Sequence, residues 1–258
     1  MTVKVNTTWI LPDQADEVVD RFKLIPGYDI DAMTQAVINL HGCGGLGYWI
    51  ALLLARKQIR SLRNFDPDVV EVSNLNRCHY PADVGMSKAE ALANHLEQEA
   101  TGETTITAYP HRFEDVAKTD EDLACDVAIV AIDNDEGRLY ACDYYFTRRT
   151  PCIFVAVDRI ASSGYVFVQA SNPGEACWLC LCPDAWERTD TDQRCAGSEP
   201  GLLQTMAGLV VYAVDSLLMP RKRTWSYFEL FLDGTLGGGG IRQVPIRSQC
   251  PICSQANQ

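Results

Sequence analysis

Apolar residues along this chain fall into short continuous runs separated by longer stretches of helical spacing. Ala36 to Leu40 (AVINL) reads as a buried strand and Asp126 to Ile132 (DVAIVAI) as an apolar one, and Ser61 to Phe65, Ile106 to Tyr109 and Cys152 to Val157 read as further strands. Between the first two, Leu46 to Arg60 carries apolar residues at helical spacing and closes on basic residues, which suit a helix C-terminus. A second helix is predicted from Lys88 to about Glu99 behind a Ser87 cap, and a third from about Glu136 to Arg148. Strands and helices in alternation predict an α/β fold, a Rossmann-like and mostly parallel sheet with helices on both faces.

The pattern changes after residue 158. Tyr165 to Ala170 reads as a strand, followed by a cysteine-rich loop and an apolar helix from Leu202 to Met219. Tyr227 to Leu232 and Ile241 to Ile246 read as late strands on either side of the run Gly237 to Gly240. With no internal repeat, the expectation is one domain: an N-terminal helical segment (1–35, with a helix from about Asp13 to Lys23), a nucleotide-binding core (36–158) and a C-terminal elaboration (159–258). The Leu202 to Met219 stretch is near the lower length limit for a membrane span. It holds Gln204, Asp215 and two glycines, so a buried helix is expected and no membrane partner.

Composition narrows the function classes. Hydrophobic residues make up 47% and charged residues 22%, which allows an ordinary buried core. A net charge of −12 repels phosphate backbones, so nucleic acid is not an expected partner. The basic run Arg221, Lys222, Arg223 reads as a solvated loop. Residues 1 to 20 show no basic segment followed by an apolar one, and a cytoplasmic location is expected. In that reducing compartment the eleven cysteines divide among packing, metal ligation and chemistry.

Gly42, Gly44 and Gly47 form G-x-G-x-x-G directly after a predicted strand and before a predicted helix. Glycines let the backbone turn tightly beside a phosphate, and the helix N-terminus offers unpaired N–H groups. Asp66 ends the next strand, where a carboxylate can accept from ribose hydroxyls. An empty packing turn is the bland alternative, and NAD, FAD and ATP share the fingerprint. The pairs Cys177–Cys180 and Cys250–Cys253 are two C-x-x-C knuckles, the pattern of a closed tetrahedral Zn²⁺ site; unrelated buried or redox thiols are the alternative.

Three further segments decide between nucleotides: D-P-D-V-V-E-V-S-N-L-N-R from Asp66 to Arg77, V-G-M-S-K from Val84 to Lys88, and A-I-D-N from Ala131 to Asn134. Together with the glycine loop, in this order, they resemble the ThiF/MoeB/E1 superfamily, whose members activate ubiquitin-like proteins by adenylation. The resemblance covers residues 21 to 255. It implies ATP at Gly42, Gly44, Gly45 and Gly47, with Asp66 on the ribose. Asn74, Arg77 and Lys88 would contact phosphates and Asp133 would hold Mg²⁺. Asp68 also fits the motif, or caps a turn after Pro67. Each residue taken singly has a plainer reading: Arg77 and Lys88 as surface charges, Asn74 as a turn residue, Asp133 as a helix N-cap.

The resemblance carries four more expectations. Gly27-Tyr28-Asp29-Ile30-Asp31 is similar to a family stretch that follows an arginine working in trans. Here that arginine is Arg21, and it implies a homodimer; a solvated helix charge is the alternative. Cys195, in R-C-A-G-S-E-P-G, corresponds to a thiol that some members use to accept the activated acyl group and others do not need. The paired knuckles imply structural zinc. The partner would be a ubiquitin-like, β-grasp sulfur-carrier or modifier protein, or a peptide, with a C-terminal glycine. The chain departs from the pattern at Cys78, where a glutamine is usual, and in the S-E-P-G loop. An NAD(P)- or FAD-dependent oxidoreductase and a catalytically silent nucleotide-binding module stand as the rival readings.

Overall fold

The computed structural model of the protein describes residues 3–7, 14–119, 121–170, 174–187, 197–219, 223–232 and 239–253. The five apolar runs form the centre of the sheet. They are β2 (Val37–His41), β3 (Ser61–Phe65), β4 (Thr104–Tyr109), β5 (Val127–Val130) and β6 (Cys152–Val157), all parallel, in the spatial order β4-β3-β2-β5-β6. Strand β1 (Val3–Thr7) adds antiparallel to β4 at one edge. On the other side β7 (Ser163–Gln169), β8 (Tyr227–Phe231) and β9 (Gly240–Arg242) continue antiparallel beyond β6. The described residues thus make one nine-stranded sheet.

Alternation within the central strands explains why they read as unbroken apolar runs. Ile38, Leu40, Val127, Ile129, Ile153 and Val155 face one cluster, formed with α3 (Gly45–Ala55), α4 (Lys88–Glu99) and α8 (Pro200–Leu218). Ala128, Val130, Cys152 and Phe154 face the other, with α5 (Phe113–Val116), α6 (Asp135–Thr147) and α7 (Trp178–Leu181). Both faces are covered, so the strands carry apolar residues on both sides and only a few buried polar ones. Helices α1 (Ala15–Lys23) and α2 (Ile30–Thr34) precede β2.

Helix α8 is long and apolar enough to cross a membrane, and here one of its faces packs on α3, β6 and β7. Its acidic residue is neutralised inside the fold. Lys57 Nζ meets Asp215 Oδ1 at 2.7 Å, with the two side chains 13% and 9% exposed, and also donates to Tyr28 Oη at 2.8 Å. Losing Lys57 would take the cation away from a buried carboxylate, a change that typically costs about 3–5 kcal/mol.

Several expected bounds shift for local reasons. The helix expected over 46–60 stops at Ala55, because the chain reverses through Gln58 in the left-handed region (φ +57°) before entering β3. The strand expected over 241–246 ends at Arg242; beyond it Val244 N donates to the Ser226 hydroxyl. The antiparallel edge strand β1 was not expected at all.

Two polar side chains of β2 lie in the core and are satisfied there. Asn39 Nδ2 donates to Leu123 O at 2.9 Å, and His41 Nε2 lies 2.9 Å from Tyr145 Oη. Burial pushes the His41 pKa down from 6.5 to about 3. A histidine neutral in the fold but protonated when unfolded contributes stability above pH 6.5 that is lost as pH falls towards 3. Denaturant midpoints should therefore fall across that window, and His41→Phe should flatten the fall. An identical slope in both proteins would remove His41 as its source.

Candidate functional site

The chain leaves β2 to build β3 and β4 on one side, then returns to place β5 on the other. At such a switch point the connections at the carboxyl ends of the two strands diverge and open a crevice. Here it is a cleft of about 730 Å³ between the β2–α3 and β5–α6 connections. The glycine loop forms one wall under tight restraint. Gly42 has φ +91°, and a Cβ there would lie 2.6 Å from Ala131 O, so the loop presses against the end of β5. A Cβ on Gly47 would fall 1.8 Å from Gly42 O, and one on Gly45 would fall 2.8 Å from Leu203 Cδ1. Gly44 differs: a Cβ there meets nothing within 4 Å, and the residue lines the cleft as N-cap of α3.

Asp66 holds this loop in place. Its Oδ2 accepts from Cys43 N at 2.7 Å and its Oδ1 from Asp68 N at 2.9 Å. Burial raises its pKa, an effect that the nearby Lys88 ammonium and the two backbone donors oppose. Lys88 opens α4 and reaches back to Asp68 Oδ2 at 2.8 Å. Burial alone would lower its pKa, but the Asp66 and Asp68 carboxylates outweigh that and raise it. The cation is therefore permanent and faces the cleft beside two carboxylates.

Asn74 and Arg77 come from the turn between β3 and α4. Asn74 is buried, and its Oδ1 accepts from Glu71 N at 2.9 Å, which sets the turn. Arg77 donates to Ser73 O at 2.7 Å and to Asn76 Oδ1 at 2.9 Å. Asp133 is exposed at the opposite wall; Asn134 caps α6 instead, accepting from Gly137 N at 2.7 Å. The N-cap alternative for Asp133 is thus corrected in favour of its neighbour. Gly42, Gly44, Gly45, Asp66, Asp68, Asn74, Arg77, Lys88 and Asp133 all line this one cleft, while Gly47 packs behind it.

Two further cations line the cleft that sequence reasoning missed, Arg112 and Arg138. Arg138 is largely buried (13% exposed), pairs with Asp135 at 3.0 Å and donates to Ile132 O at 2.6 Å. In sequence it reads as an ordinary i,i+3 surface pair of a helix, so only the packing reveals it. Four cations and several carboxylates around one crevice suit a ligand that carries both phosphates and hydroxyls.

Arg21 is exposed on α1 and is not among the residues lining the cleft. Cys195 lies outside the described residues. Cys43 is fully buried in the glycine loop, where burial holds its thiol protonated. Cys78 is also buried, its Sγ 3.7 Å from Asn74 O.

The four knuckle cysteines converge as expected. Cys177 Sγ lies 3.9 Å from Cys180 Sγ and 3.4 Å from Cys250 Sγ, and Cys180 Sγ lies 3.6 Å from Cys253 Sγ. Sulfurs about 2.3 Å from a zinc ion form a tetrahedron with edges of about 3.8 Å. The cluster is compatible with zinc. If it is a structural site, Cys250→Ser should remove the zinc bound at this cluster and lower the melting temperature, whereas Cys152→Ser, outside the cluster, should leave zinc content unchanged.

A model of the ThiF family matches residues 19–224, most of the chain. The chain belongs to the ThiF family. Among curated ThiF-type relatives it is 28% identical over 233 residues to the adenylyltransferase and sulfurtransferase MOCS3 of Mus musculus, covering 88% of this chain and 48% of that one. It is 31% identical over 214 residues to the ubiquitin-like modifier-activating enzyme 5 of Bombyx mori, covering 74% and 52%. The chain thus spans about half the length of these relatives. In fold it is similar to E. coli MccB solved with ATP, with a TM-score of 0.72 at 17% identity over 87% of this chain and 68% of that one.

Proposed function

We propose that this ThiF-family chain uses ATP to adenylate the C-terminal carboxylate of a ubiquitin-like protein or peptide ending in glycine. The observation that carries the reading is the convergence of Asp66, Asn74, Arg77, Lys88 and Asp133 on one cleft at the switch point of the sheet. The relatives' names, an adenylyltransferase and a ubiquitin-like modifier-activating enzyme, support it. A hydride-transfer enzyme would need the glycine loop and Asp66, but it gives no work to Asn74, Arg77, Lys88 and Asp133.

In this reading a carboxylate oxygen of the partner forms a bond to the α-phosphorus while the bond from that phosphorus to the departing pyrophosphate breaks. Negative groups crowd together, so the protein must supply fixed cations and donors. Lys88 and Arg77 supply charge at the phosphates, and Arg138 and Arg112 extend it along the cleft. The N-terminus of α3, through Gly44, Gly45 and Leu46, borders the same space and favours negative charge there. Asp66, already bound to the loop amides, has the remaining acceptor capacity to take ribose hydroxyls. Asp133, an exposed carboxylate at the rim, is a fitting ligand for Mg²⁺, which would neutralise phosphate charge when bound.

The same reading assigns zinc to Cys177, Cys180, Cys250 and Cys253 as a clamp without a catalytic part. It assigns Arg21 to the partner subunit's cleft in a homodimer, and it sets the reaction in the cytoplasm. Transfer of the acyl group to Cys195 is a separate step beyond adenylation. The test is partner-dependent exchange of labelled pyrophosphate into ATP. Failure of exchange with a bound partner, alongside normal nucleotide binding, would favour a silent nucleotide-binding module.

A further inference from the structure

A second cluster of metal-ligating side chains lies behind the glycine loop and takes no part in the cleft. Donor atoms of His79, Asp83 and His95 all lie within 4.8 Å of one another. His79 follows the Asn74–Arg77 turn, Asp83 ends a short 3-10 turn, and His95 comes from α4. Nothing in the spacing of these residues along the sequence suggests that they meet.

The protonation of His79 follows from its partners. Its Nε2 lies 3.0 Å from Cys43 O. A carbonyl only accepts, so Nε2 carries the proton and Nδ1 presents a lone pair. That Nδ1 is buried and has no hydrogen-bond partner, in a side chain only 6% exposed. A buried nitrogen lone pair with no donor is unfavourable unless something fills it. The arrangement, one ring nitrogen donating to a backbone carbonyl and the other bare, is how histidines are held to ligate metals.

The other two groups fit the same purpose. His95 Nε2 lies 3.0 Å from Asp83 Oδ2, with both side chains largely buried. Ligand atoms about 2.0–2.1 Å from one metal ion sit about 2.9–3.4 Å apart, so this pair already forms one edge of a coordination shell. Tyr48 Oη, 3.1 Å from His95 Nδ1, holds the ring from behind, and Tyr80 N donates to Asp83 Oδ2 at 2.6 Å. Among the described residues no lysine or arginine pairs with Asp83. His79 itself sits at φ +61°, a conformation uncommon for a side-chain-bearing residue, which places its ring in this group.

We propose that His79, Asp83 and His95 form a second metal site, for a zinc-class divalent transition ion. Two imidazoles and one carboxylate select such an ion over Mg²⁺ or Ca²⁺, which prefer all-oxygen shells. Because His79 donates to Cys43 O while Cys43 N donates to Asp66, an ion here braces the glycine loop from outside the cleft.

The experiment is zinc content of the full chain after equilibration with Zn²⁺ in a weakly chelating buffer. Wild type should hold about two ions per chain. His79→Ala and His95→Gln should each hold one, as should Cys250→Ser, which loses the cysteine cluster instead. Two ions retained by His79→Ala would overturn the proposal, as would a single wild-type ion that Cys250→Ser removes. X-ray absorption at the zinc edge of the loaded wild type needs no variant to fold. A shell mixing sulfur with nitrogen and oxygen supports the site, and sulfur alone sinks it.

Discussion

Replacing Asp133 with alanine is expected to lower partner-dependent pyrophosphate exchange by about a hundred- to a thousand-fold and to leave the melting temperature where it was. Two features separate the effects. Asp133 is exposed at the rim of the cleft, and among the described residues its carboxylate makes no hydrogen bond, so the fold does not depend on it. The adjacent Asn134 carries the structural duty, capping α6 through Gly137 N. Asn134→Ala should therefore do the reverse in part, with a loss of about 1 kcal/mol of stability. Exchange kinetics and thermal melts on both variants give the comparison. Wild-type exchange by Asp133→Ala would remove it from the chemistry.

The glycine loop yields the second large effect, as a contrast between two glycines three positions apart. Gly47→Ala places a methyl 1.8 Å from Gly42 O, a backbone atom that cannot step aside. The loop or α3 must move, at a cost of about 3 kcal/mol or more. For a chain of this size each kcal/mol lowers the melting temperature by roughly 2–4 °C. Gly44→Ala meets nothing within 4 Å, so the ligand-free protein should melt as wild type does. Its methyl would instead border the cleft, and the stabilisation conferred by MgATP should shrink. Thermal melts with and without MgATP distinguish the two. A destabilised Gly44→Ala, or an unperturbed Gly47→Ala, would contradict the loop geometry.

Much of the fold was legible because its central strands are buried on both faces. Ser61–Phe65, Cys152–Val157 and the helix Lys88–Glu99 fall where apolar runs and the Ser87 cap put them. Strand β1 was not, because its partner β4 is distant in sequence and the alternation of Val3-Lys4-Val5-Asn6 is too short to stand out. The cleft was legible where motifs keep residues near one another, as in Asp66 to Arg77. Arg138 escaped notice because its burial depends on how α6 packs beneath the β5 connection. His79, Asp83 and His95 were illegible for a related reason: a left-handed turn and a helix bring them together, and no fixed spacing records that.

The paired knuckles have a topological consequence. Cys177 and Cys250 stand 73 residues apart in sequence yet 3.4 Å apart in space. An ion joining them would turn everything between, α8 and β8 included, into a ring closed on itself. Such a ring loses conformational freedom chiefly in the unfolded chain, and the loss grows with the logarithm of its length. The knuckle would then act at a distance from its own position. It would restrict α8 in the unfolded chain, and in the fold α8 carries Leu203, which packs against Gly45. The segment that looks most peripheral in the fold would thereby stabilise the whole fold around the cleft.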